Sequence, residues 1–116
     1  MKARLPKGYN NGGNTNIQQL ARQAQKMQEE MDAASKELDE KEYSAQAGGG
    51  AVKAVIKGSL EIQSLEISKD VVDPEDIDML GDLIIAAVNE AIRAAREEKA
   101  EVMDSISGGL NVPGLF

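Results

Sequence analysis

From Ile17 to Leu38 the apolar residues recur without a break at spacings of three and four: Ile17, Leu20, Ala24, Met27, Met31, Ala34 and Leu38. A stripe of this kind is an a/d heptad seam, and it requires a long amphipathic helix with a partner along one side. The side chains between the seam positions are mostly Gln, Glu and Asp, which tolerate solvent. Thr15 or Asn16 offers a side-chain oxygen to the free N–H groups of a first turn, so the helix is expected to begin there. The preceding MKARLPKGYNNGGNT has no periodicity and reads as a disordered basic tail over residues 1–15.

The period changes near Glu42, and Gly48, Gly49 and Gly50 form a run that no helix keeps. Residues 42–47, 51–57 and 60–68 read as three strands joined by short turns, with Gly58 and Ser59 in the second turn, which gives an antiparallel meander. Val52, Ala54 and Ile56 share one face of the middle strand, and Lys53, Val55 and Lys57 the other. Apolar parity shifts from Leu60 and Ile62 to Leu65 and Ile67, which places a bulge near Gln63 or Ser64. Asp73-Pro74-Glu75-Asp76 opens a second helix, with Asp73 as the cap and Pro74 at the first helical position. Ile77, Leu80, Ile84, Val88, Ala91 and Ala95 give that helix a broad stripe to lay on the sheet; it runs to about Ser105 and stops at Gly108 and Gly109. The fold class is α+β, in the order long helix, three-stranded antiparallel meander, long helix. One domain is expected over residues 16–107, with a Gly- and Pro-containing tail over 108–116.

At 1.5 Å per residue the first helix spans about 36 Å, against about 23 Å for a seven-residue strand. Part of it must overhang its own sheet, and an exposed apolar side chain there gains about 1.5–3 kcal/mol by burial against a second copy. Ile17, Leu20, Ala24, Met27 and Met31 are therefore expected to form a homodimer interface. The alternative is that the first helix folds back on the second within one chain.

The chain contains neither Cys nor His, so thiolate and imidazole metal sites and the common nucleophile–base pairs cannot be assembled. Carboxylate or lysine chemistry stays open in principle, but no such residues converge in the sequence. No enzymatic activity, metal, cofactor or small-molecule substrate is expected. No stretch approaches the roughly 20 apolar residues of a membrane span, and the first 16 residues lack a signal-peptide core, so a cytoplasmic location without membrane contact is expected.

The net charge of −7 is unevenly placed: +3 over residues 1–15, −3 over 16–47, balanced over 48–72 and −7 over 73–107. Duplex DNA presents closely spaced phosphates, so a binder needs Lys and Arg together on one surface. On the first helix the candidates are Arg22 and Lys26, four apart and hence on one face, with Lys36; the competing reading is a solvated surface with Lys26 paired to Glu29 or Glu30. Arg93, Arg96 and Lys99 form a second group, which the negative end of the second helix would favour in any case. Lys2, Arg4 and Lys7 form a third, either a mobile arm along the phosphates or a solubilising tail. The Gly run is a turn rather than a phosphate loop, because no GK[ST] follows it.

Three stretches taken together carry a family likeness. Leu20-Ala21-Arg22-Gln23-Ala24-Gln25-Lys26-Met27-Gln28-Glu29-Glu30-Met31, then Gly49-Gly50-Ala51-Val52-Lys53-Ala54-Val55-Ile56-Lys57-Gly58, then Asp73-Pro74-Glu75-Asp76-Ile77-Asp78-Met79-Leu80 resemble the YbaB/EbfC family of bacterial nucleoid-associated proteins. The likeness continues through Asp82-Leu83-Ile84-Ile85-Ala86-Ala87-Val88-Asn89-Glu90-Ala91 and the Pro-Gly-Leu-Phe ending, covering about residues 16–116. It implies a cytoplasmic, nucleoid-associated homodimer of α-β-β-β-α topology whose projecting helices grip duplex DNA, with no enzymatic activity and no cofactor. Two features depart from the pattern: Gly81 stands where the family usually has an acidic helix residue, and the N-terminal stretch is longer and more basic. The expected function is phosphate-dominated binding of double-stranded DNA by the homodimer, with effects on DNA conformation. The competing class is a protein-interaction module whose acidic helices bind another protein.

Overall fold

The computed structural model describes residues 7–108, in the order α1 (Lys7–Glu40), β1 (Glu42–Ala47), β2 (Val52–Lys57), β3 (Ile62–Ile67), a 3-10 turn (Lys69–Val71) and α2 (Ile77–Gly108). The three strands form one antiparallel sheet with β2 in the centre. This is the α-β-β-β-α arrangement read from the sequence. Between Val55, paired with Ser64, and Ile56, paired with Ile62, the register slips by one residue at Gln63, where the change of apolar parity put a bulge.

α1 starts at Lys7, not at Thr15 or Asn16, and takes in Gly12 and Gly13. Each interior glycine costs a helix about 1 kcal/mol, but extending an existing helix adds a hydrogen bond for every residue fixed. The stretch assigned to a disordered tail is therefore helical from Lys7 onward. Residues 1–6 and 109–116 lie outside the described residues.

The start of α2 also differs from expectation. Asp76 Oδ1 accepts from Met79 N–H at 3.2 Å, so Asp76 is the cap. Asp73 instead heads a turn: its carbonyl accepts from Asp76 N–H at 2.9 Å and its side chain from Glu75 N–H at 2.9 Å. Pro74 occupies the second position of that turn, where its fixed φ fits as well as it would in a first helical turn. At the other end α2 runs through Ser105 to Gly108.

The core is one row of β2 against one row of α2. Val52, Ala54 and Ile56 are fully buried, and so are Ala87 and Ala91, with Ala95 almost so. A stripe of alanines at i, i+4 and i+8 has nothing beyond Cβ to hold the helix off, so α2 settles closely on the middle strand. Leu80, Leu83, Ile84 and Val88 close one end of this contact, and Tyr43, Ala45 and Ile92 the other. Gly48, Gly49 and Gly50 all take left-handed φ values, 64°, 68° and 95°, which explains why the β1–β2 turn is built of glycine. In the β2–β3 turn the left-handed position falls on Leu60, at φ 70°, rather than on Gly58 or Ser59.

α1 meets α2 and β2, and among its residues of described burial the covered ones run from Met27 onward. Leu38 is buried and Met27, Met31 and Ala34 are half-buried, whereas every residue from 16 to 26 is exposed. The heptad seam thus divides: its second half is covered within the chain and its first half is not. The molecule is correspondingly long, 87 × 22 × 17 Å along its principal axes.

Candidate nucleic-acid interface

Arg22 and Lys26 stand on the exposed half of α1, one turn apart, with Gln18 and Gln25 on the same stripe. The ion pairs among the described residues are Lys41–Glu98, Lys57–Glu40 and Arg93–Glu90, so Lys26 is not engaged by Glu29 or Glu30. No Asp or Glu occurs in the chain before Glu29, while Lys2, Arg4, Lys7, Arg22 and Lys26 all do. In a chain of net charge −7 the outer part of the projecting helix therefore carries positive charge alone. The sequence holds this signal, but dividing the charges at residue 15 hides it, because the acids from Glu29 onward cancel Arg22 and Lys26.

The other candidates sit elsewhere. Lys7 is the first residue of α1, and Lys2 and Arg4 lie outside the described residues. Lys36 is exposed but belongs to the acidic part of α1, with Asp32 one turn before it and Glu40 one turn after. Arg93, Arg96 and Lys99 are exposed on α2. Arg93 is paired with Glu90, and Arg93 and Arg96 line a shallow groove with Asn89, Ile92, Glu97 and Ala100. This group flanks Glu98, which is joined to Lys41; Arg22 lies 19 residues before Lys41, about 28 Å along the helix axis. The structure brings Arg22 and Lys26 onto one acid-free arm and leaves the α2 group among carboxylates at the arm's base.

The base of the arm is held by a compact polar cluster. Lys41 Nζ donates to both oxygens of Glu98, at 2.7 and 2.8 Å, and the Tyr43 hydroxyl donates to the same carboxylate. Lys41 Nζ also lies 5.5 Å from the centre of the Tyr43 ring, within cation–π range. Those hydrogen bonds, Lys41's first, hold the Glu98 carboxyl below the usual carboxylate range. Partial burial, followed by the bond to Glu98 and the repulsion of its charge, pushes the Tyr43 phenol up to about 12.

Of the residues expected at a dimer interface, Ile17 is 64% and Leu20 56% exposed and Ala24 is exposed, while Met27 and Met31 are already half-covered. A second uncovered apolar surface escaped the sequence reading. On β3, Ile62, Leu65 and Ile67 are the direct partners of Ile56, Ala54 and Val52, so they face the same side of the sheet as the core row. α2 packs on β1 and β2, leaving every β3 residue exposed. Leu83 of α2 meets Gly48 in the β1–β2 turn, whereas Ile85, two residues from the buried Ala87 and so on the far side of the helix, is 58% exposed. Strand pairing puts the apolar β3 row on the face that α2 covers over β1 and β2; only the position of α2 shows that this face stays open over β3.

No helix among the described residues is long and apolar enough to cross a membrane. The fold resembles that of an uncharacterized protein from Helicobacter pylori solved by crystallography, with a TM-score of 0.66 over 77% of this chain and 94% of that one, at 20% identity. Among relatives by sequence, a nucleoid-associated protein of Clostridium novyi is 53% identical over 105 residues, 90% of this chain and 92% of its own. A nucleoid-associated protein of Acetivibrio thermocellus is 49% identical over 113 residues, 97% of this chain and all of its own. The model of the YbaB/EbfC DNA-binding family matches residues 12–110, and the chain belongs to that family.

Proposed function

We propose that this protein is a cytoplasmic, nucleoid-associated protein that binds double-stranded DNA as a homodimer, chiefly through backbone phosphates, and alters the path of the duplex. The observation that carries the reading is the acid-free arm of α1: exposed throughout residues 16–26, bearing Arg22 and Lys26 outside any ion pair of the described residues, on an otherwise acidic molecule. From Lys7 to Lys26 the arm is about 30 Å long, close to one turn of B-form DNA. Guanidinium, ammonium and Gln amide groups all donate to phosphate oxygens, and such contacts position a protein without reading sequence. Relatives that are about half identical over nearly the whole chain bear the name nucleoid-associated protein, which supports the location.

A homodimer fits this reading because two apolar surfaces remain open, the outer α1 seam and the β3 row of Ile62, Leu65 and Ile67. The second is held on the sheet, hydrogen-bonded to β2, and we place the dimer contact there. A twofold partner on it would hold out two arms from one body. No catalytic role is assigned to any residue.

A gel-shift salt titration tests the proposal. Duplex affinity falls steeply with salt, and Arg22→Gln with Lys26→Gln flattens the log–log slope by about two for each arm engaged. Arg93→Gln with Arg96→Gln changes it little. Absence of duplex binding at low salt, with the protein folded, would transfer the function to protein interaction through the acidic helices.

A further inference from the structure

We propose that Glu98, held by Lys41 and Tyr43, is a positioning residue that fixes the angle at which α1 leaves the body and so places Arg22 and Lys26 on the duplex. The proposal rests on the DNA-binding reading for its consequence, but its structural part stands on geometry alone.

A single residue, Lys41, separates the end of α1 at Glu40 from the start of β1 at Glu42. Backbone bonds pin this junction on one side: Gly58 N–H donates to the Lys41 carbonyl at 2.9 Å, and Ser59 N–H to the Asp39 carbonyl at 3.2 Å. Those contacts tie α1 to the β2–β3 turn. On the other side the only ion pair or side-chain hydrogen bond that links the junction to α2, among the described residues, runs through the Glu98 carboxylate. Three donor contacts converge on it from two different residues, and the Tyr43 ring packs against the Ile56–Ala91–Ala95 core, so the anchor is set on rigid elements.

The leverage is large. α1 rests on the body from Met27 to Leu38, so the swing in question is a tilt of that contact; Arg22 lies about 28 Å from the junction, and a 10° tilt displaces it by about 5 Å, more than the roughly 3.4 Å axial step between phosphates of one strand. An arm free to swing loses affinity because its orientation must be fixed on binding.

The experiment uses the full chain, which has no native Cys. Gln23→Cys on the arm, off the Arg22–Lys26 stripe, and Ser44→Cys on the exposed side of β1 carry a donor–acceptor or spin-label pair. The labelled protein is diluted into excess unlabelled protein so that only distances within one chain are read. The unaltered background gives a narrow distribution. Glu98→Lys broadens it and weakens duplex binding about threefold or more, although the substitution adds positive charge that would otherwise favour DNA. Combining Glu98→Lys with Lys41→Glu restores the pair and narrows the distribution again. A distribution unchanged by Glu98→Lys, or tighter DNA binding alongside a broadened one, overturns the proposal. Failure of the unaltered protein to bind duplex strikes the functional reading instead, and the distance measurement still decides whether Glu98 fixes the arm.

Discussion

Gly58 lies so close to Leu38 that a Cβ built on it would sit 1.8 Å from the Leu38 carbonyl oxygen. The last turn of α1 is seated directly on the β2–β3 turn, and hydrogen bonds from Gly58 and Ser59 close the contact. Gly58→Ala has no side chain able to move aside, so the helix end itself must shift. The expected cost is about 3 kcal/mol or more in chemical denaturation, with Gly49→Ala, where the space is open but φ is 68°, costing about 1 kcal/mol. Equal effects at the two positions would mean that the α1 seat is not as close as described.

Two substitutions are expected to raise stability. Leu60 holds a left-handed φ of 70° that a side chain disfavours, and Gly81 lies within α2 with nothing within 4 Å of a Cβ placed on it. Leu60→Gly relieves backbone strain, and Gly81→Ala removes freedom from the unfolded chain, each worth about 0.5–1 kcal/mol. Thermal unfolding of each variant checks the sign.

The dimer contact is separable from the arm. Leu65→Glu or Ile67→Glu, placing charge on the β3 face, is expected to give monomers by sedimentation at micromolar concentration. Ile17→Gln with Leu20→Gln is expected to leave the mass unchanged. The reverse pattern would move the interface to the outer α1 seam.

The cluster at the base of the arm gives a pH signature at both ends of the scale. Tyr43 titrates at about 12 in the folded protein against about 10 unfolded, so its contribution to stability is complete below pH 10 and is lost as pH rises through 12. In a Tyr9→Phe background the tyrosinate absorbance should therefore appear two units late, and Tyr43→Phe should remove the decline in stability. Glu98 shifts the other way: its contribution is present above the unfolded value, about 4.3, and is lost as pH falls through the lower folded one. Glu98→Gln should remove that acid-side decline.

Both helices, all three strands and the bulge at Gln63 were legible in the residues, because periodicity and turn chemistry are local properties. Local rules placed the helix starts less well. At Asp73-Pro74-Glu75-Asp76 two carboxylates three apart can each cap, and the choice of Asp76 depends on where the preceding turn delivers the chain. At Thr15 no helix start falls, because α1 already runs through it from Lys7.

The candidate DNA contact divides in the same way. That Arg22 and Lys26 share a face, and that no acid precedes Glu29, follows from residue order and the helical period alone. Which part of α1 projects, which half of its seam α2 covers, that β3 keeps an open apolar face, and that Lys41, Tyr43 and Glu98 meet across more than fifty residues of chain depend on how the helices lie on the sheet. The physical reason is range: hydrogen bonds and side-chain alternation are set by neighbours a few residues apart, whereas cover and exposure are set by packing between elements distant along the chain.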